Sequence, residues 1–400
     1  MRFVHFTTDI KGGAGIAAFR LHQTMLDYGL NSVLYNKYTS IEGLKCYKVN
    51  EAITKKRGNK LFVFFNNKLN GIIVRIYNNR NFFYHSGIKT NYRLDCLINS
   101  DDIVLMHWVS DFLDYKSFFE NVDENLKIFF FVHDFNIISG RLHTLYDKMK
   151  NSNKLISFIE SLISKKKIFY LSKLKNYKII ANSNFTFKTL KSSNCFENEK
   201  LCKIYLGLPI TESVLISTMD AKKVLGFNEN DFLILMSAND IDVELKGYDR
   251  FLKLFKMFQN YPDIKFVTLG KIKNLEILKN TNFSNFITWD FIEKSRIFSA
   301  ANVVISTSYE ETFGQTVIEA YANSTPVIVY NGYSALPEIV QHNKTGFIAT
   351  NTDDVFNFIL KLKGNLDLQK RMGDLAKDTY LNKFTSDIQL QEFLKLLNNS

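Results

Sequence analysis

Cysteine, proline and glycine are scarce in this 400-residue chain, at four, four and 18 residues. So little proline and glycine excludes collagen-like, linker-rich and broadly disordered chains. Cys46, Cys96, Cys195 and Cys202 stand apart without CxxC spacing. Neither a disulfide scaffold nor a zinc site is expected, and a reducing compartment fits. No run of about 18 uncharged apolar residues occurs, the length a membrane-spanning helix needs. The apolar start, Phe3–Phe6, is too short for the core of a secretion signal. The chain is therefore expected in the cytoplasm.

Aromatic and basic residues are abundant. The chain has 36 Phe and 19 Tyr, is 46% hydrophobic and 23% charged, and carries a net charge of +11. The balance is that of a soluble globular protein, long enough for two domains. Residues 1–200 carry 30 Lys and Arg against 17 Asp and Glu, a balance of +13, while residues 201–400 carry 21 against 23, a balance of −2. Such asymmetry points to an anionic partner for the first half. Two stretches, 50–93 and 148–178, each hold nine basic residues and one acid, interleaved with Phe, Tyr, Leu and Ile. That composition suits helices lying on an anionic membrane surface. The alternative is two core helices with solvated lysine faces. No nucleic-acid motif accompanies the charge, so a nucleic-acid partner is not expected.

Short apolar runs alternate with helical spacing twice over. Strands are expected at Phe3–Phe6, Asp102–Met106, Lys127–Val132 and Lys178–Ala181. A second set is expected at Phe232–Met236, Lys265–Leu269, Phe286–Trp289, Val303–Ser306 and Pro326–Tyr330. Helical patterns separate them at Gly15–Tyr28, Asp249–Gln259 and Thr316–Asn323, and another closes the chain at Ser386–Leu397. Continuous apolar strands alternating with helices mean parallel sheets covered on both faces. The expected architecture is α/β: two doubly wound, Rossmann-like domains facing a cleft. They would span 1–207 and 208–380, joined near Gly207-Leu208-Pro209, with 381–400 packing back on the first. Ligands of such sheets bind at the carboxyl ends of the strands.

The densest motif is Tyr309-Glu310-Glu311-Thr312-Phe313-Gly314-Gln315-Thr316-Val317-Ile318-Glu319-Ala320, between a strand and a helix. Gly314 allows close backbone approach. The amides of Gly314, Gln315 and Thr316 would open a helix, whose positive end suits a diphosphate. Glu311 precedes that end and Glu319 follows it. Two carboxylates beside an anion site fit a ligand that also offers hydroxyl donors, as a nucleotide sugar does. An ordinary acidic first turn is the plainer reading. Upstream, Gly12-Gly13-Ala14-Gly15 links the first strand to the first helix, with Gly13 and Gly15 in a position to approach phosphate or sugar. A structural glycine turn is the alternative. His133 and Asp134 end one strand and His107 and Trp108 another, where they would point into the cleft or serve the core.

Glu311 and Glu319 enclose seven residues, and this spacing resembles the E-x7-E signature of retaining GT-B glycosyltransferases of family 4. The continuation Asn331-Gly332, Leu336-Pro337-Glu338-Ile339-Val340 and Lys344-Thr345-Gly346-Phe347 is similar to that family's. The opening Gly12–His22 looks like the branch that builds bacterial surface polysaccharides, O-antigen among them. Ser139-Gly140-Arg141-Leu142-His143 resembles a family block in which Cys stands where this chain has Leu142. The resemblance implies transfer of a sugar from a nucleotide-diphosphate donor to a hydroxyl of a lipid-linked or other oligosaccharide. It needs no cofactor and no metal, and it would take place at the inner face of the cell membrane. It implies catalytic roles for Glu311 and His133. Donor binding would fall to Gly13, Gly15, Lys246, Phe313, Gly314, Gln315, Thr316 and Glu319, and the acceptor would be lined by His107 and Trp108. Lys246-Gly247 resembles the family's basic diphosphate site. The Arg that usually accompanies it is missing, and Asn239 stands near that place. A nucleotide-sugar epimerase and a non-catalytic lipid-binding protein remain as rival classes.

Overall fold

The computed structural model describes residues 1–50, 90–151, 153–214, 216–273, 276 and 279–399. Most of the basic stretch 50–93 lies outside them. The chain divides into two compact units, residues 1–182 with 186–203, and residues 183–185 with 204–400.

The first unit is a seven-stranded sheet. Its strands are β1 (Arg2–Phe6), β2 (Ser32–Asn36), β3 (Cys46–Lys48), β4 (Asp102–Met106), β5 (Lys127–Val132), β6 (Tyr177–Ala181) and β7 (Leu201–Lys203). They lie in the order β3-β2-β1-β4-β5-β6-β7. All neighbours are parallel; Val4, for example, sits opposite Val33 on one side and Val104 on the other. The second unit repeats the plan with β8 (Phe232–Asp240), β9 (Ile264–Lys271), β10 (Phe283–Phe286), β11 (Val303–Ser306), β12 (Val327–Tyr330) and β13 (Gly346–Ala349), ordered β10-β9-β8-β11-β12-β13. The expected doubly wound parallel sheets are both present. In each, strand order reverses beside the first strand, between β1 and β4 and between β8 and β11. Those switch points open a crevice at the strands' carboxyl ends.

Each sheet has its own core. Val4, Phe6, Val104, Met106, Ile128 and Phe130 centre the first, and Phe232, Ile234, Phe251, Phe266, Val303 and Ile328 the second. Nearly every residue of β4, β5 and β8 up to Met236 is buried, which is why these runs read as strands without alternation. The expected strand Phe286–Trp289 is corrected to Phe283–Phe286. Phe283 pairs with Phe266 of β9 and is buried, whereas Ile287 and Trp289 lie exposed beyond the sheet.

The helices, in chain order, are α1 (Gly13–Asp27), α2 (Tyr115–Asn121), α3 (Leu145–Lys150), α4 (Lys154–Leu171), α5 (Asn184–Ser192), α6 (Thr218–Val224), α7 (Tyr248–Met257), α8 (Phe291–Ala300), α9 (Gln315–Ala322), α10 (Leu336–Ile339), α11 (Thr352–Lys363), α12 (Leu366–Lys383) and α13 (Ser386–Asn398). α1 buries Ala17, Ala18, Leu21 and Met25, a stripe at helical spacing. α13 groups with the second unit, where Gln389 accepts the Gly207 amide and the Ser386 amide reaches the Leu208 carbonyl.

Candidate active site

In the second unit the site is built on two loops that follow β8 and β11. Gly247 ends a short turn with φ +67°, and a Cβ there would lie 1.9 Å from the Thr307 carbonyl oxygen. Only glycine lets the loops approach this closely. They are then stitched together. Thr307 Oγ1 donates to the Lys246 carbonyl at 2.7 Å, and the Tyr309 amide donates to the Leu245 carbonyl at 2.9 Å. The Ala335 amide holds the Glu311 carbonyl from the other side at 2.8 Å. The stitching brings Lys246 Nζ to 2.5 Å from Glu311 Oε1, and Ser308 Oγ donates to the same oxygen at 2.9 Å. Both partners remain partly open, with side chains 31% and 22% exposed.

Immediately after Glu311 the chain turns through Gly314, φ +110°, into α9. A Cβ on Gly314 would strike Leu336 at 2.5 Å. Gln315 and Thr316 occupy the first turn, with Thr316 Oγ1 donating to the Ser237 carbonyl at 3.4 Å. The helix start supplies amide donors without intrahelical acceptors. Glu319 sits in the next turn, nearly buried, with Lys294 Nζ 3.3 Å from its carboxylate. Phe313 is 2% exposed, its ring packed near those of Tyr205 and Phe384. Its side chain therefore serves packing. Asn239 is exposed and donates to Asp240 at 2.5 Å.

Two residues here, Arg250 and Lys294, escaped the sequence reading, and a third, Glu338, was read only as part of a motif. Arg250 donates to the Thr307 carbonyl at 3.1 Å and lies over the rings of Tyr309 and Tyr330, bracing the loop that carries Glu311. Lys294 neutralises Glu319. Glu338 accepts the amides of Asn184 and Phe185 at 2.8 and 3.1 Å, an acid on the positive end of α5. The Pro-Glu motif was legible, but its partner, about 150 residues away, was not.

In the first unit, Asp9 Oδ1 accepts the amides of Ile10 and Lys11, folding the loop after β1 over α1. A Cβ on Gly15 would meet the Asp9 carbonyl oxygen at 1.9 Å. Gly15 is therefore demanded by the loop's own backbone, while Gly13 lies exposed in the first turn of α1. Across the switch point, His107, Trp108, Ser110, Tyr115, His133 and Asp134 line one cavity. Here the structure brings His133 together with His107 and Trp108. Trp108 Nε1 donates to Asp134 Oδ2 at 2.8 Å, and His143 Nδ1 lies 2.6 Å from the same oxygen. Burial works against the Asp134 carboxylate, but His143, the Asn136 amide and Trp108 together hold its carboxyl below the usual range. Burial pulls His133 down to about 4, against the opposite pull of Asp134.

The loop after His133 is clamped by α4. Glu160 accepts the amides of Gly140, Arg141 and Leu142 at 2.9, 2.7 and 3.1 Å. Lys167, wholly buried, donates to the carbonyls of Asn136, Ser139 and Gly140 at 3.0, 3.2 and 2.6 Å and to Asn136 Oδ1 at 2.9 Å. Burial draws its ammonium down to about 7, with Glu160 pulling upward. On the opposite face of the same helix Leu155, Phe158, Leu162 and Phe169 are exposed, at 51–60%.

Residues 218–379 match the model of the family described as Glycosyl transferases group 1. Poly(ribitol-phosphate) alpha-N-acetylglucosaminyltransferase of Staphylococcus aureus (strain COL) is 28% identical over 99 residues, 24% of this chain and 20% of that protein. Trehalose synthase of Thermococcus litoralis is 31% identical over 100 residues, 25% of this chain and 24% of that protein. The matches thus span about a fifth to a quarter of the length of these curated relatives. Anabaena HepE, solved in complex with UDP and glucose, is similar over the whole of both chains, at 14% identity and a TM-score of 0.72. That likeness shows the fold, the two Rossmann-like domains of the GT-B architecture.

Proposed function

We propose, taking the group 1 match of residues 218–379 as premise, that this chain is a retaining, metal-independent glycosyltransferase. It moves a sugar from a nucleotide-diphosphate donor to a hydroxyl of a lipid-linked or oligosaccharide acceptor in surface-polysaccharide synthesis. One observation carries the reading: Lys246, Glu311 and the start of α9 meet at the switch point of the second sheet.

The chemistry follows from charge. Departure of a nucleoside diphosphate puts negative charge on the leaving oxygen. The helix-start amides of Gly314, Gln315 and Thr316, with Lys246, supply fixed positive potential for it. A diphosphate would share Lys246 with Glu311, leaving that carboxylate near the sugar, where it can accept hydroxyl hydrogen bonds and favour the oxocarbenium-like state. Glu319, held by Lys294, suits ribose hydroxyls. With the diphosphate itself as the proton's destination, attack from the face it leaves retains configuration. HepE was solved with UDP and glucose, which supports a nucleotide-sugar donor here. The exposed Leu155, Phe158, Leu162 and Phe169 on lysine-rich α4 support docking on an anionic membrane.

A thermal-shift screen against UDP, GDP, ADP and their sugars tests donor binding, because a ligand of the folded state raises Tm. With the donor in hand, Glu311→Gln is expected to lower kcat by about a hundredfold, the scale of one lost electrostatic stabiliser. Glu319→Ala is expected to raise the donor's Kd. Unchanged rates and affinities in both variants would end the reading.

A further inference from the structure

Arg250 stands in the first turn of α7, shortly after Lys246. Its guanidinium does two things at once. Nη1 donates to the Thr307 and Ser308 carbonyls at 3.1 and 3.4 Å. The central carbon lies 3.9 Å from the Tyr309 ring centroid and 4.4 Å from that of Tyr330. Both rings are anchored at their far ends. Tyr309 Oη donates to Asp249 Oδ2 at 2.7 Å, and Tyr330 Oη donates to Thr352 Oγ1 at 3.2 Å. Asp249 and Arg250, adjacent in α7, therefore hold Tyr309 by its hydroxyl and by its ring.

The peptide between Ser308 and Tyr309 is pinned on both sides. Its carbonyl accepts from Arg250, and its amide donates to the Leu245 carbonyl at 2.9 Å. Leu245 and Arg250 flank Lys246-Gly247, so one short stretch, 245–250, grips the loop that carries Ser308 and Glu311 and also delivers Lys246 to it. Lys246 Nζ and Ser308 Oγ then meet on a single oxygen, Glu311 Oε1. A guanidinium suits this task. It lies flat on aromatic rings and offers donors along its edge in the same plane, whereas an ammonium is a compact point charge.

We propose that Arg250 is a positioning residue for the transfer: its stacked plane sets the loop 307–311 against Lys246, and so fixes the Lys246–Glu311 pair that serves the sugar and its leaving diphosphate. It acts through the backbone of 307–309, not through contact with substrate. A shift of that loop by about an ångström would misplace both charges together, and errors of that size cost turnover steeply. The catalytic consequence rests on the transferase reading; the setting of the two loops does not.

One arm of the test needs no substrate. Acetylation of the full chain by an N-hydroxysuccinimide ester, followed peptide by peptide in a mass spectrometer, reads how fast Lys246 reacts. Glu311→Gln gives the rate of an unpaired Lys246. Arg250→Ala and Arg250→Lys should both approach that rate, about threefold above the parent, the scale of a partly exposed ion pair. Millimolar guanidinium chloride, far below denaturing concentrations, should fill the slot in Arg250→Ala and return the parent's rate. Parent-like labelling in both variants overturns the proposal. So does parent-like labelling in Arg250→Lys alone, since charge would then suffice, and so does an Arg250→Ala rate that guanidinium leaves unchanged. A Glu311→Gln rate equal to the parent's means there is no pair to set, and overturns it too. If Arg250→Ala does not fold, Arg250→Lys decides. UDP release from UDP-glucose with octyl glucoside reads the consequence. Both Arg250 variants should lose about tenfold in kcat, with KM changed by less than about threefold, and guanidinium should restore kcat in Arg250→Ala. A raised KM with kcat kept overturns the positioning role. A parent that frees no UDP counts against the transferase reading, and Lys246 labelling then decides the role of Arg250 by itself.

Discussion

Gly247 shows how one missing side chain sets the candidate site. It allows the loop bearing Lys246 to lie against Thr307, and hence the pairing with Glu311. Gly247→Ala would force a methyl against a carbonyl oxygen at a left-handed φ. We expect a loss of about 1–3 kcal/mol, read by urea unfolding, and a fall in turnover as the two loops part. The histidines make a second residue-scale prediction. Their ordinary pKa is near 6.5, and burial lowers His5, His107 and His133, the last to about 4. The unfolded chain therefore binds protons that the folded chain refuses. Their contribution to stability is complete above pH 6.5 and is lost as pH falls from 6.5 towards 4. Asp134 beside His133 and His22 beside His5 are the charged or titratable neighbours that modulate this. The urea midpoint should drop across that window, and less steeply in His133→Asn. Sequence alone placed His107 and His133 at strand ends. It could not show that they touch, because β1, β4 and β5 become neighbours only through the strand order.

At the scale of elements, α4 carries unlike duties on two sides. Glu160 and Lys167 hold the loop 136–142, while Leu155, Phe158, Leu162 and Phe169 face outward. Lys167→Met should strand the carbonyls it satisfies and destabilise the protein by about 2–4 kcal/mol, seen as a lower Tm. The basic, apolar composition of 148–178 was legible. Which lysine would turn inward was not, since Lys165, Lys166 and Lys167 are adjacent and only helical phase, set by packing, selects the last. The same limit misplaced the strand at Phe286–Trp289. An apolar run shows that a strand is near, and pairing with β9 decides where it begins. β2, β3, β7 and β13 passed unread because they are short or carry polar residues.

For the whole molecule, charge is the large-scale signal. The first 200 residues hold the entire positive excess. Phosphatidylglycerol vesicles should bind the protein and release it in high salt, as screening of surface charge requires. The double variant Phe158→Ser with Leu162→Ser should lose most vesicle binding with Tm unchanged, because both side chains already face outward. Retention on vesicles by that variant would remove α4 from the account. The two-sheet plan was readable at this scale because buried parallel strands advertise themselves as apolar runs. The boundary was less so, since the chain does not pass once from one unit to the other. Residues 183–185 belong to the second unit, where Ser183 donates to the Thr312 carbonyl and Glu338 takes the next two amides, before 186–203 rejoin the first. No single cut can therefore part the halves cleanly. Severed after Lys203, the front fragment would carry off three residues that Thr312 and Glu338 hold, and the rear fragment would keep a carboxylate shaped for amides that had left with the other piece.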